Sequence, residues 1–291
     1  MEKKRKKQQE KSYPAALTIA ISDATGGSGV QADLRTFNAF GVYGCSAITA
    51  VAGRTPGKVT LYNRLSADAI TAQIDAVLSS VNVKYAKSGI LFNTGIIEII
   101  SEAVKKHQFK LICDPAFVMP LDRNTPDMAL IEFFKDKLMK LASWLTPNIP
   151  EAELLLGEKI TTFADRINAA KKLHDLSGAS ILLKGGHAEK TPDQILPKVT
   201  DIVCTDGMIC KVSSLKVDLP QPTAFGVGNT LSAALTAGLA LDLPWDEAVC
   251  ESKAFVMGSL VENVRIGNTL SAMYPPTSDY MSSISIEEMD V

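Results

Sequence analysis

The chain has 291 residues, 46% of them hydrophobic and 21% charged, with a formal net charge of −2. That length can bury one large core or two modest ones, and the composition is ordinary for a soluble globular enzyme. The small net charge gives no argument for nucleic acid or a membrane surface as partner. Five cysteines, odd in number, fit neither a disulfide framework nor a CxxC zinc pattern.

Met1 to Lys11 is almost all Lys, Arg, Gln and Glu, so residues 1–14 are expected to form a disordered basic tail. It lacks the apolar core of a signal peptide, and no run of about 18 apolar residues follows. With the cysteine pattern, this predicts a cytoplasmic protein. Leu17 to Ser22 is a short apolar run ended by Asp23 and a glycine cluster, which predicts a buried strand. Val30, Leu34, Phe37 and Ala39 then carry helical spacing, and 45–52 is a second apolar strand. Ser66 can cap a helix over 67–81 whose face is Ile70, Ile74, Val77 and Leu78.

Further strands are expected at 85–91, 110–113, 144–145 and 180–183, with helices near 94–107, 127–141, 150–156 and 162–176. Around 201–217 the pattern becomes two or three short strands with a turn at Asp206-Gly207. Helices near 228–241 and 245–263 close the chain, and Ser282 to Val291 is expected to be loose. Alternating strands and helices with near-continuous apolar strands predict a mostly parallel sheet covered on both faces. The expected organisation is one α/β/α domain over 15–270 and a polar tail over 271–291.

In such sheets, ligands sit beyond the carboxyl ends of the strands. Asp23–Gly29, Gly53–Gly57, Asp114–Met119, Thr146–Glu151 and Lys184–His187 each follow a predicted strand and can converge on one crevice. Phe225-Gly226-Val227-Gly228-Asn229 opens a long small-residue helix. Its free N–H groups and positive helix end suit a phosphate or a developing phosphoryl charge. Gly27-x-Gly29-x-x-Ala32 also matches a loose dinucleotide fingerprint, and Arg54 can mimic a 2′-phosphate reader, so an NADP-dependent oxidoreductase stands as a rival. A purely structural tight turn is the other reading of that loop. No GxxxxGK[ST] occurs.

Asn148-Ile149-Pro150-Glu151 can cap a helix, or Asn148 and Glu151 can organise magnesium-bound waters beside a triphosphate. Asp114 can sit near Mg²⁺ or cap a turn. Lys184-Gly185-Gly186-His187 is a cation before a flexible turn, or a turn with a solvated lysine.

Taken together, these segments resemble the hydroxymethylpyrimidine and phosphomethylpyrimidine kinases of thiamin biosynthesis, a branch of the ribokinase superfamily. The matching stretches are Leu17–Ala20 through Gln31–Phe37, Gly41–Ala50, Leu145–Glu153, Leu183–His187 and the glycine-flanked helix start, in register from about residue 16 to 265. The resemblance implies a three-layer ribokinase-like α/β/α fold and ATP- and Mg²⁺-dependent phosphorylation. The implied acceptor is the hydroxymethyl group, or then the monophosphate, of 4-amino-5-hydroxymethyl-2-methylpyrimidine, and homo-oligomers are common in the family. Carried over to this chain, Gly226 and Gly228 form the anion hole, with Asn229 at the catalytic position. Asn148, Lys184 and His187 serve the nucleotide, and Asp114 and Glu151 the metal. Ile21, Asp23, Ser28, Arg54, Ile90 and Ala116 line the acceptor site.

The departures lie in the pocket. The family usually has Gly-Thr-Gly-Cys where this chain has Gly226-Val227-Gly228-Asn229, and its cysteine is the proposed base. A glutamine that reads the aminopyrimidine edge falls on Arg54, which only donates hydrogen bonds. Ile21 replaces a usual glycine and Ser28 a usual alanine. If Asn229 merely vacates the base position, Asn229→Cys is expected to raise the rate. The alternatives to the family's usual reaction are a non-catalytic nucleotide- or ligand-binding paralogue, and a kinase whose acceptor has shifted, for example to a pyridoxal-type alcohol.

Overall fold

The computed structural model describes residues 13–55, 58–117, 127–186, 198–217, 226–266 and 270–290. The N-terminal Met1 to Ser12 and His187 lie outside the described residues. The chain opens with β1 (Ala15–Asp23), α1 (Gly29–Ala39), β2 (Tyr43–Thr55) and β3 (Lys58–Arg64). α2 (Ala67–Leu78), β4 (Val83–Ser88), α3 (Thr94–His107), β5 (Lys110–Cys113) and α4 (Met128–Lys137) follow. A short 3-10 turn, Met139–Leu141, leads to β6 (Ala142–Leu145), α5 (Ile149–Leu156), α6 (Phe163–Ser177) and β7 (Ser180–Leu183). The last third holds β8 (Lys198–Thr205), β9 (Met208–Leu215), α7 (Val227–Ala240) and α8 (Trp245–Val261). It ends with the small pair β10 (Val264–Ile266) and β11 (Leu270–Ala272), a 3-10 turn at Met281–Ser283, and β12 (Ser285–Glu288).

Ten strands form one sheet in the order β12-β9-β8-β7-β6-β5-β4-β1-β2-β3. The run from β7 to β2 is parallel, and antiparallel strands flank it on both sides. Successive strand residues enter opposite cores, as a period of two requires. Leu17 and Ile19, Leu111 and Cys113, and Ile181 and Leu183 face α2 to α6. Ile112, Trp144, Leu182 and Val203 face α7 and α8, while Ala16 packs with Phe37 of α1 and Ala233 and Ala237 of α7. This is the expected three-layer α/β/α sandwich.

The helix starts follow capping chemistry. The Ser66 hydroxyl accepts the Ala69 N–H at 3.3 Å, and the Asn93 side chain accepts that of Ile96 at 2.9 Å. α7 is buried from Thr230 to Ala240, which its small residues allow. A Cβ at Gly238 would already lie 3.1 Å from the Ala248 Cβ of α8. The helix is thereby wedged between α1 and α8 with its N-terminus at the carboxyl edge of the sheet.

Three expectations change. β2 runs on to Thr55, so Gly53 and Arg54 belong to a strand and not to a loop after one. It pairs with β3, whose Val59-Thr60-Leu61-Tyr62 is itself strand-like in composition. The C-terminal segment is not loose throughout, because β12 pairs antiparallel with β9, setting Ile286 opposite Val212.

Candidate functional site

The ends of β1, β5, β6 and β7 meet the start of α7 around a cavity of about 260 Å³. One wall is Ile21, Ser28, Arg54, Ile90 and Ala116, and the other carries Asp114, Glu151, Lys184, Gly226, Gly228 and Asn229. A second cavity of about 560 Å³ abuts it and shares Asn148, Lys184 and Gly228. Val199, Leu215, Val256, Met257 and Leu260 give that larger space apolar walls. Of the residues singled out from the sequence, Asp23 stands behind the wall; the other described ones line the first cavity.

Glycine is required at the junction. Gly226 has φ of +100°, and a Cβ there would strike the Gly27 carbonyl oxygen and lie 3.3 Å from the Ser28 side chain. A Cβ on Gly228 would sit 3.2 Å from the Lys184 Nζ. The Thr230 N–H bonds to the Gly226 carbonyl at 2.8 Å, so the N–H groups before it have no acceptor within the helix. These groups and the helix dipole face the meeting point of the two cavities, a setting for phosphate.

Lys184 is buried rather than solvated, and its ammonium donates to Asp114 Oδ1 at 2.8 Å. The other Asp114 oxygen accepts the Ser232 hydroxyl at 3.1 Å, which ties the end of β5 to α7. Burial works against the Lys184 charge, but Asp114, Glu151 and Asp201 outweigh it and raise its pKa. Asn148 and Glu151 form a reciprocal capping box at the start of α5, each side chain bonding the other's N–H at 2.8 Å. Burial pushes the Glu151 carboxyl up to about 7; Lys184 opposes the shift and Asp114 adds to it.

Among the described residues, no group of three or more His, Cys, Asp or Glu can hold a metal ion. A magnesium ion there would depend on phosphate and water, with Glu151 as the nearby acid, which suits its preference for retained waters. A carboxyl held near neutrality by burial is one that a cation would readily ionise.

At the opposite end, Asp23 is fully buried and accepts the Thr25 N–H, the Thr25 hydroxyl and the Ser28 hydroxyl at 2.9, 2.8 and 2.6 Å. Arg54 Nη1 donates to Ser28 Oγ at 3.3 Å and lies 3.6 Å from Asp23 Oδ2. Asp23 therefore orients the cavity wall. Gly29, in the glycine-rich turn, has φ of +64° and packs on the Ile21 carbonyl, so that turn shapes one wall of the smaller cavity.

Asn229 sits on a network that the sequence did not disclose. Its amide oxygen accepts from Lys87 Nζ at 2.9 Å and its Nδ2 donates to Asp33 Oδ1 at 2.8 Å. Lys87 and Asp33 pair at 3.2 Å with both side chains wholly buried, and the Thr18 hydroxyl donates to Asp33 at 2.6 Å. Burial raises the Asp33 pKa against the pull of Lys87. The usable signal was Lys87 itself, a lysine on the same face of β4 as Tyr85. A second buried pair, Asp201 with Lys253, lines the larger cavity and was also missed.

A family model described as phosphomethylpyrimidine kinase matches residues 23–273. A hydroxymethylpyrimidine/phosphomethylpyrimidine kinase of Synechococcus elongatus is 35% identical over 265 residues, covering 90% of this chain and 98% of that one. The crystal structure of a phosphomethylpyrimidine kinase from Clostridium difficile is 33% identical with a TM-score of 0.70, covering 84% and 99% of the two chains. A pyridoxal kinase from Staphylococcus aureus in complex with AMP-PCP and pyridoxal is 27% identical with a TM-score of 0.81, covering 96% and 100%. These likenesses displace the dinucleotide reading of the glycine-rich turn. Among the described residues, no helix is long and apolar enough to cross a membrane.

Proposed function

The chain belongs to the phosphomethylpyrimidine kinase family, and on that premise we propose that it phosphorylates 4-amino-5-hydroxymethyl-2-methylpyrimidine, or its monophosphate, with ATP in thiamin biosynthesis or salvage. One observation carries the reading. The two cavities, one large and apolar-walled, one small, meet at Lys184 and Gly228 under the start of α7. A nucleotide in the larger cavity would bring its terminal phosphate to the free N–H groups of that helix, facing an alcohol in the smaller one.

In this arrangement Gly226 and Gly228 leave room for the phosphoryl group, and the helix N–H groups stabilise the charge that develops on it. Lys184 adds a cation at the junction. Magnesium would neutralise phosphate charge, with Asn148 and Glu151 holding its waters. Asn229 cannot take the acceptor's proton, because an amide has no useful basicity. A general base is worth about 10²–10⁴-fold. The loose transition state of phosphoryl transfer postpones deprotonation, so its loss leaves a slow kinase. The enzyme is further proposed to be cytoplasmic and homo-oligomeric.

A second reading, a non-catalytic binder of nucleotide or small ligand, is favoured by a specific feature. Both ends of the Asn229 amide are committed to Asp33 and Lys87. Incubation with ATP, Mg²⁺ and hydroxymethylpyrimidine, followed by ³¹P NMR, is expected to reveal a phosphate monoester. Nucleotide binding without transfer to any pyrimidine or pyridoxal-type alcohol would support the binder instead.

A further inference from the structure

Asp201 of β8 and Lys253 of α8 are 4% and 5% exposed, and their charged atoms lie 2.7 Å apart. The second Asp201 oxygen accepts the Gly185 N–H at 2.7 Å. Gly185 has no room for a side chain, since a Cβ would run into the Thr200 carbonyl oxygen. The turn after β7 is thus pressed onto β8 and held there by one carboxylate. Its preceding residue is Lys184, whose N–H bonds to the Pro147 carbonyl at 2.8 Å and whose ammonium reaches Asp114.

Contacts therefore run from α8 through Asp201, the turn, Lys184 and Asp114 to Ser232 of α7. Lys253 shares a helix face with Val256, Met257 and Leu260, all of which line the larger cavity. As a stabiliser, a buried ion pair has little advantage over an apolar pair of the same volume. An apolar pair could not accept the Gly185 N–H. Asp201 also counts among the anions that favour the charged form of Lys184.

We propose that Asp201, steadied by Lys253, is a positioning residue that fixes the Lys184–Gly185 turn and so aims the Lys184 ammonium at the phosphates of a nucleotide. The proposal rests on the phosphotransferase reading. It predicts that the acceptor oxygen at position 201 matters more to nucleotide binding than the ion pair does.

The test compares wild type with two double variants, Asp201→Asn/Lys253→Met and Asp201→Leu/Lys253→Met, by AMP-PCP calorimetry and steady-state kinetics. Both variants remove the ion pair, so a purely structural contribution falls on both alike. Only the asparagine keeps an acceptor for Gly185. The asparagine variant is expected to bind AMP-PCP within about threefold of wild type and the leucine variant about tenfold more weakly. The KM for ATP should move in parallel while the acceptor KM stays fixed. Asp201→Ala/Lys253→Met repeats the comparison if leucine does not fit. Equal affinities in the two double variants overturn the positioning role while leaving the kinase reading intact. No AMP-PCP binding by wild type overturns the nucleotide site and the positioning role with it.

Discussion

At the proposed phosphate end of the site the chain presents backbone, whereas at the proposed acceptor end it presents side chains carried by the ends of β1, β2, β4 and β5. Gly226 and Gly228 are confined by their surroundings, the first by the Gly27 carbonyl and the second by Lys184. Ile21, Arg54, Ile90 and Ala116 meet the smaller cavity through their side chains, with Arg54 also donating to Ser28 and facing Asp23. Phosphate recognition asks for N–H groups and space, which only a few backbone geometries supply. Recognition of a ring edge asks for one donor or acceptor pattern, which a single substitution rewrites. A phosphate cradle can therefore persist in a chain whose acceptor wall has diverged.

The largest effect expected from this contrast is at Gly226. Gly226→Ala places a Cβ against the Gly27 carbonyl at a φ unsuited to alanine. kcat/KM should fall by at least about a hundredfold, the scale of a lost oxyanion donor, with little change in the far-ultraviolet spectrum. A smaller loss, within tenfold or so, would mean that the helix start does not carry the phosphoryl charge.

Asn229 comes next, because it belongs to both ends. Regarded as a vacated base position, it should gain activity on conversion to cysteine. Its bonds to Asp33 and Lys87 point the other way, since a thiol cannot replace both. Asn229→Cys is expected to destabilise the protein by about 1–3 kcal/mol in urea titrations, with no gain in rate. A faster and equally stable variant would restore the simpler view.

The smallest effect is a pH dependence at Glu151. Its carboxyl is raised in the folded protein to about 7, so the native state holds its proton where the unfolded chain has released it. The resulting stability is full below the ordinary carboxyl range and is lost as pH rises through about 7. Glu151→Gln cannot ionise. Without divalent cation, its Tm relative to wild type should climb by roughly 3 °C between about pH 5 and about pH 8. A constant difference would place the Glu151 carboxyl in its ordinary range.

How far the sequence disclosed this molecule follows the same division. Strands such as 180–183 and helices such as 94–107 were legible because an apolar run or a capped periodic segment states its own boundaries. β3 was not, because its exposed Leu61 and polar Asn63 blur the alternation. β12 was missed because Ser285–Glu288 becomes a strand only through the edge of β9, which local composition does not report. In the site, the glycines and the capping box could be read locally. The partners of Asn229 and Gly185 could not, since Asp33 and Lys87 lie 196 and 142 residues away in the chain. A buried lysine in a strand and another on the apolar face of α8 were the only local hints of those networks.

The central claim, a retained phosphate end beside a rewritten acceptor end, is tested most directly by steady-state kinetics of wild type and Arg54→Gln with ATP, Mg²⁺ and hydroxymethylpyrimidine. In the proposed pose an arginine at this position offers only donors to the ring's amino group, a mismatch that glutamine removes, so kcat/KM for the pyrimidine should rise by about tenfold. The KM for ATP should stay at the wild-type value. An unchanged pyrimidine kcat/KM, or a change carried by ATP alone, would contradict the claim.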